Sequence, residues 1–253
     1  MLETKGCSIQ FGGVRAASDV SIFVGEWEIV GVIGPNGAGK TTTFNMITGF
    51  YSPDSGKVEF KGQDVTSLDV HQRTAIGMGR TFQNVGMVKG ATVRDNLKSA
   101  QHLLASYSTV SGMLGVPRTF RTEGELDDRA DRLVELLDLR ELLDEQVAGL
   151  PYGDLKRIEL ATVLATDPDV LLLDEPTSGM GPEESEQLGD TLLQLRRDFG
   201  LTVLMIEHHV PMVVRVCDYV YCLSFGSMLA HGKPDEVRQH PEVIRAYLGD
   251  EAV

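Results

Sequence analysis

One segment constrains this chain more than any other. Gly34-Pro35-Asn36-Gly37-Ala38-Gly39-Lys40-Thr41 fits the spacing G-x-x-x-x-G-K-[ST]. It stands between a continuous apolar run, Glu28-Ile-Val-Gly-Val-Ile33, and a stretch of helical character from Lys40 to about Thr48. An apolar run that stops at a Gly/Pro/Asn cluster reads as a buried parallel strand entering a loop. Strand, glycine-rich loop and helix in that order make a phosphate loop. The glycines let the backbone wrap with its N–H groups facing an anion, and the helix N-terminus adds its positive dipole end. Lys40 is placed to reach the β- and γ-phosphates of a nucleotide, and the Thr41 hydroxyl to hold Mg²⁺.

The charge balance agrees with a small anionic ligand and excludes a large one. The 253 residues carry 23 Lys and Arg against 37 Asp and Glu, a formal charge of −14. A nucleic-acid binder needs clustered cations, so no nucleic-acid partner is expected. At 42% hydrophobic and 24% charged, the chain can bury a full core. Three cysteines, Cys7, Cys217 and Cys222, make no disulfide framework and point to a reducing, cytoplasmic compartment. The opening Met1-Leu-Glu-Thr-Lys-Gly has no apolar signal segment. No run approaches the ~18 apolar residues that span a bilayer, so any membrane role is expected to be peripheral.

Strand and helix patterns alternate along the chain. Val20, Ile22 and Val24 alternate with Asp19, Ser21 and Phe23, and Val58 with Phe60 suggests another strand after the turn Ser52–Gly56. Residues 87–165 look helical, with an amphipathic helix or helix pair at Glu125–Leu143 and a flexible connection at Ser106–Gly124. Val170–Leu173 and Leu201–Ile206 read as buried strands around a helix at Glu183–Phe199, and Ser224-Phe-Gly-Ser227 as a hairpin turn. This order predicts an α/β fold with parallel crossovers. One phosphate loop and no internal repeat mean one nucleotide-binding unit.

The run Val170-Leu-Leu-Leu-Asp174-Glu175 puts two carboxylates at the C-terminal end of a strand, the edge where α/β sheets bind ligands. Asp174 suits Mg²⁺ held through a water, and Glu175 suits polarising an attacking water.

With Gln83 in Arg80-Thr-Phe-Gln83, Leu150-Pro-Tyr-Gly-Asp154 before Lys156-Arg-Ile-Glu-Leu160, and Ile206-Glu-His208, the chain resembles the ATP-binding subunit of an ABC transporter over almost its whole length. Within that family it is similar to the ATPases of branched-chain amino-acid (Liv-type) importers. The pointers are Phe11-Gly-Gly13, Met46-Ile-Thr-Gly-Phe50, Glu207-His208 and the tail Pro241-Glu-Val-Ile-Arg-Ala-Tyr-Leu-Gly249. The resemblance implies a P-loop NTPase (RecA-like) parallel-sheet core, 1–86 and 166–253, with an antiparallel β subdomain, and an inserted helical subdomain at 87–165.

It also implies roles. Residues Gly34 to Thr41 and Thr42 match the ATP-binding loop, and Phe11 the aromatic that stacks on adenine. Gln83 matches a residue contacting Mg²⁺ and water, and His208 the histidine that contacts the γ-phosphate. His209 has no assigned role and reads as surface. Two such subunits sandwich two ATP molecules, each between one phosphate loop and the other subunit's signature segment, where Gly153 presents its N–H. The implied partners are two membrane-spanning permease subunits, a second ABC ATPase and, indirectly, an extracytoplasmic solute-binding protein.

The chain departs from the family in two places. The usual Leu-Ser-Gly-Gly-Gln signature is Leu150-Pro-Tyr-Gly-Asp154, which loses the serine hydroxyl, and Pro151 has no N–H. Gly181 stands where most members have Asp or, in Liv-type proteins, Asn. Both places act across the dimer, so a subunit with its own intact ATP site and a weakened contribution to its partner's is expected. The alternatives are an exporter ATPase of the lipopolysaccharide-transport type, a partner subunit with weak hydrolysis, and a soluble ABC protein acting on ribosomes or DNA. Against the last, the chain has one cassette, no heptad run and no basic surface.

Overall fold

The computed structural model describes residues 1–81, 87–101 and 123–248, with the backbone alone for 123–127 and 248. They part into two compact units, Met1–Arg73 with Leu173–Val253, and Thr74–Leu172.

The first unit opens with β1 (Leu2–Phe11) and β2 (Val14–Val24), which pair antiparallel. Then come β3 (Ile29–Ile33), α1 (Lys40–Thr48), β4 (Ser55–Phe60), β5 (Gln63–Asp64) and α2 (Val70–Ala75). The second unit holds β6 (Met78–Arg80), α3 (helical over 93–101), α4 (Glu123–Leu136), a 3₁₀ turn at Arg140–Leu142, α5 (Tyr152–Ala165) and the start of β7 (Val170–Asp174). The chain returns to the first unit with α6 (Pro182–Phe199), β8 (Thr202–Ile206), α7 (Val210–Val216), β9 (Tyr219–Ser224), β10 (Ser227–Gly232), α8 (Pro234–Arg238) and α9 (Pro241–Leu248).

Two sheets organise the first unit. An antiparallel sheet runs β2-β1-β4-β5, and its burial alternates as a one-sided sheet requires: Val20, Ile22 and Val24 are inside, Asp19, Ser21 and Phe23 outside. The second sheet runs β10-β9-β3-β8, with β3 parallel to both β8 and β9. Every residue of β3 and β8 is buried, which is why these strands read as unbroken apolar runs. In the second unit β6 pairs in parallel with the first three residues of β7. The chain is thus an α/β fold with a parallel core sheet and an antiparallel β subdomain.

Two local expectations change. The amphipathic helix expected at Glu125–Leu143 stops at Leu136; Asp138 then takes a left-handed φ of 52°, which breaks the helical path before the 3₁₀ turn. The connection expected at Ser106–Gly124 falls mostly outside the described residues, and its last two residues are already helical. Cys7, Cys217 and Cys222 are all free and buried.

The first helix is secured at its far end by a cation that the sequence does not advertise. The side chain of Arg73, 1% exposed, donates to the carbonyls of Met46 (2.7 Å) and Ile47 (2.6 Å) in the last turn of α1. It also donates to Leu68 (2.9 Å) and Thr66 (2.9 Å). A helix leaves its last carbonyls without partners, and a cation there also meets the negative dipole end. Burial lowers the pKa of Arg73 to about 10, which keeps it charged at neutral pH. Arg73→Met is expected to lower the unfolding free energy by about 3 kcal/mol, because it strands several buried carbonyls. Urea denaturation measures that loss.

Candidate functional site

The site grows from the C-terminal edge of the parallel sheet in the first unit. Val32 of β3 stands in register between Ile206 of β8 and Tyr221 of β9. The chain leaving β3 is therefore flanked by the chain leaving β8 and by the β9–β10 hairpin. Glu175, just past β7, donates its N–H to the Ile206 carbonyl at 3.0 Å. Three predicted segments thus meet at one edge: the loop Gly34–Thr41, the acidic pair Asp174-Glu175, and Glu207-His208.

The loop is held tightly. A methyl group built on Gly34 would lie 2.2 Å from the Leu223 carbonyl oxygen, and one on Gly39 would lie 2.4 Å from that of Ala16. Both residues also have positive φ, 148° and 94°, so glycine is demanded twice over. Gly226 of the hairpin turn donates to the Ala38 carbonyl at 3.0 Å, while Ser18 of β2 donates to Gly226 at 2.7 Å. Neighbouring strands therefore brace the loop from outside. Gly39 leads directly into α1, where Thr43 donates back to its carbonyl through both N–H and hydroxyl, each at 2.9 Å.

Lys40 is 7% exposed and folds back over this loop. Its Nζ donates to the carbonyls of Gly34 (2.7 Å) and Pro35 (3.0 Å). Burial pushes its pKa down, opposed by the carboxylates of Glu175 and Asp174 on the same edge. Thr41 and Asn36 are exposed and Thr42 is half-buried. A buried cation, a ring of backbone groups and a helix N-terminus together suit a polyphosphate.

Asp174 is 7% exposed. Glu175 takes a left-handed φ of 49°. For a residue with a side chain that conformation costs about 1 kcal/mol or more, and it persists where the surroundings impose it, commonly at functional sites. Phe11 ends β1 with 44% of its surface exposed, and its ring meets Tyr51 edge to face with centroids 5.1 Å apart. Tyr51 was not among the expected site residues. Its hydrophobic neighbour Phe50 gave no reason to prefer it.

Glu207 is another residue that sequence reasoning left without a role. It is fully buried, yet it has four hydrogen-bond donors. One carboxylate oxygen accepts from the N–H (2.9 Å) and hydroxyl of Thr177, two residues beyond Glu175. The other accepts from the N–H groups of His208 and His209, both at 2.9 Å. A buried carboxylate is tolerable only when fully hydrogen-bonded. This one ties the segment after the acidic pair to the histidine loop. The single sequence signal for it is an acid closing an otherwise apolar strand. His208 is exposed; His209, expected at the surface, is half-buried with its Nδ1 enclosed and unpartnered among the described residues.

Three positions singled out in the sequence remain. Gln83 falls outside the described residues. Gly153 belongs to the second unit, in the first turn of α5, whose N-cap residue Pro151 offers no side-chain hydrogen bond. Next to it, Asp154 pairs with Arg157, which also reaches the Leu137 carbonyl at 3.1 Å. Asp154 thus has a cation beside it and a helix N-terminus beneath it. Gly181 caps α6 with φ −72°, and its N–H goes to Glu184 at 2.8 Å. A methyl group there would meet nothing closer than 3.8 Å.

Among the described residues no three His, Cys, Asp or Glu gather as a metal cluster. Mg²⁺ does not require one, because it takes one or two protein oxygens beside phosphate and water. The Thr41 hydroxyl and the Asp174 carboxylate are oxygen donors of that hard type.

Comparison with known proteins follows the same lines. Residues 17–178 match the family model described as ABC transporter, and 227–253 match that of the branched-chain amino acid ATP-binding cassette transporter. The high-affinity branched-chain amino acid transport ATP-binding protein LivG of Salmonella typhimurium is 40% identical over 250 residues, covering 99% of this chain and 98% of LivG. The lipopolysaccharide export system ATP-binding protein LptB of Escherichia coli K12 is 34% identical over the same proportions. The crystal structure of the ADP conformation of MJ1267, an ATP-binding cassette of an ABC transporter, superposes with a TM-score of 0.83 at 31% identity, covering 99% of each chain.

Glu207→Gln replaces an acceptor pair by one acceptor and one donor group facing N–H donors. It is expected to lower the unfolding free energy by about 2 kcal/mol. Hydrogen exchange at the amides of Thr177, His208 and His209 should quicken, which mass spectrometry of the exchanged protein measures.

Proposed function

The chain belongs to the ATP-binding proteins of ABC transporters, ATPases whose hydrolysis of ATP is coupled to transport, and on that premise we propose that it energises import of branched-chain or related amino acids. The observation that carries this reading is the full-length likeness to LivG, joined by the match of residues 227–253 to the branched-chain cassette model. The same tail model and the lower identity to LptB favour import over lipopolysaccharide export. No described helix is long and apolar enough to cross a membrane. By its family, the proposed subunit works peripherally, on the inner face of the cytoplasmic membrane, beneath two permease subunits. A solute-binding protein outside would be its indirect partner.

In this reading the backbone of Gly34–Thr42 and the Lys40 ammonium hold the ATP phosphates. Phe11 stacks on adenine, kept in place by Tyr51. Thr41 and Asp174, with Gln83, would hold Mg²⁺, which screens the phosphate charge when bound. Glu175 accepts the proton of the attacking water, and His208 contacts the γ-phosphate. Glu207 fixes the histidine loop against the segment that follows Glu175. The helices α3, α4 and α5 of the second unit belong to the helical subdomain that engages the permeases.

The cross-dimer elements support a heterodimer with a related ATPase. Pro151 offers no donor, whereas Gly153 still has its N–H. The carboxylate of Asp154 repels a neighbouring phosphate less than its charge suggests, because Arg157 pairs with it. The open space at Gly181 admits a side chain without strain.

Glu175→Gln is expected to bind ATP normally, to hydrolyse it at least about 100-fold more slowly, and to accumulate as an ATP-bound dimer. Unchanged turnover would show that Glu175 is not the base. The purified subunit alone should turn over slowly and without cooperativity, and Gly181→Asn should raise its cooperativity with little change in melting temperature. Full cooperative turnover by the unmodified homodimer contradicts the weakened-site reading. Co-purification with permeases, followed by vesicle uptake of leucine, tests the cargo.

A further inference from the structure

We propose that Tyr247, on the C-terminal helix α9, is a positioning residue of the phosphate loop: its hydroxyl holds the Gly34 N–H and fixes the loop's entry while Lys40 serves the nucleotide. This rests on the reading of Gly34–Thr41 as the ATP site.

The geometry is specific. Gly34 donates its N–H to the Tyr247 hydroxyl at 2.8 Å, across 213 residues of sequence. On its other side, the Gly34 carbonyl accepts from Lys40 Nζ at 2.7 Å. Gly34 is therefore gripped from both ends, and it is pressed against the Leu223 carbonyl by a backbone conformation that only glycine accepts easily. The two grips differ in what they can do. An ammonium drawn to phosphate oxygens gives up neutral carbonyls, since charge-assisted bonds are the stronger. The tyrosine grip takes up a single backbone N–H, that of Gly34, and leaves Lys40 and the loop's other N–H groups to the nucleotide.

Tyr247 is suited to that duty. Burial of its hydroxyl raises its pKa to about 12, so it remains neutral across the working range. The residue as a whole is 39% exposed. Anchoring of α9 falls to Val243, which is 3% exposed. A phenylalanine at 247 would keep the ring and its packing, so the hydroxyl is there for the loop. Without it, a buried N–H is left unpaired at the base of the phosphate loop, and the loop loses the preorganisation that binding uses. The C-terminal segment would then act as a working part of the nucleotide site.

The test uses the full-length protein with Mg²⁺ and a fluorescent N-methylanthraniloyl ADP. Tyr247→Phe is expected to weaken binding about three- to ten-fold, the scale of one hydrogen bond. The KM for ATP should rise in parallel, with kcat within two-fold of wild type. A merely structural tyrosine would shift the melting temperature and leave affinity untouched. Wild-type affinity in Tyr247→Phe, with binding lost in Lys40→Ala, overturns the proposal alone. Wild-type affinity in both variants overturns the ATP-site reading and this proposal with it.

Discussion

Two absent side chains make the phosphate loop possible. At Gly34 and Gly39 the backbone lies so close to the carbonyls of Leu223 and Ala16 that no Cβ fits. That closeness turns the loop back on itself, brings Lys40 over the Gly34 and Pro35 carbonyls, and starts α1 directly after Gly39. Much of the first unit serves this closure. The parallel strands β8 and β9 flank β3, the hairpin turn at Gly226 ties to Ala38, and β2 supplies the Ala16 carbonyl that Gly39 must approach.

The chain's −14 charge sits easily with an anion site built this way. In the proposed site the attraction would come from backbone N–H groups, a helix terminus and one buried ammonium. Surface carboxylates lying farther off than about 10 Å act through water and salt and are largely screened. Where acids do enter the site edge they are managed. Asp174 and Glu175 oppose the lowering of the Lys40 pKa, and Glu207 is consumed by four donors.

Local patterns were legible in the sequence, and distant pairings were not. The helix from Lys40 to Thr48, the buried runs of β3, β7 and β8 and the turn at Ser224–Ser227 follow from periodicity and turn chemistry over a few residues. The strand β1 was harder, because its pairing with β2 shifts register three times and breaks the alternation that marks a strand. Within the site, the loop and the acidic pair announced themselves by spacing. Arg73, Glu207 and Tyr247 did not, since each works on partners that only folding brings near: Met46 and Ile47 for Arg73, Thr177 for Glu207, Gly34 for Tyr247. No window of sequence contains such a pair. The departures at Pro151, Asp154 and Gly181 were visible as residues, but the Arg157 that neutralises Asp154 became visible only in α5.

In the proposed function the backbone of this loop, closed by glycine, holds the ATP phosphates. Calorimetric titration of Mg²⁺-ATP into Gly39→Ala tests it most directly, in protein shown by circular dichroism to be folded. The added methyl group must push the loop away from Ala16, and ATP binding should fall by at least about ten-fold. Wild-type affinity in that folded variant would contradict the account.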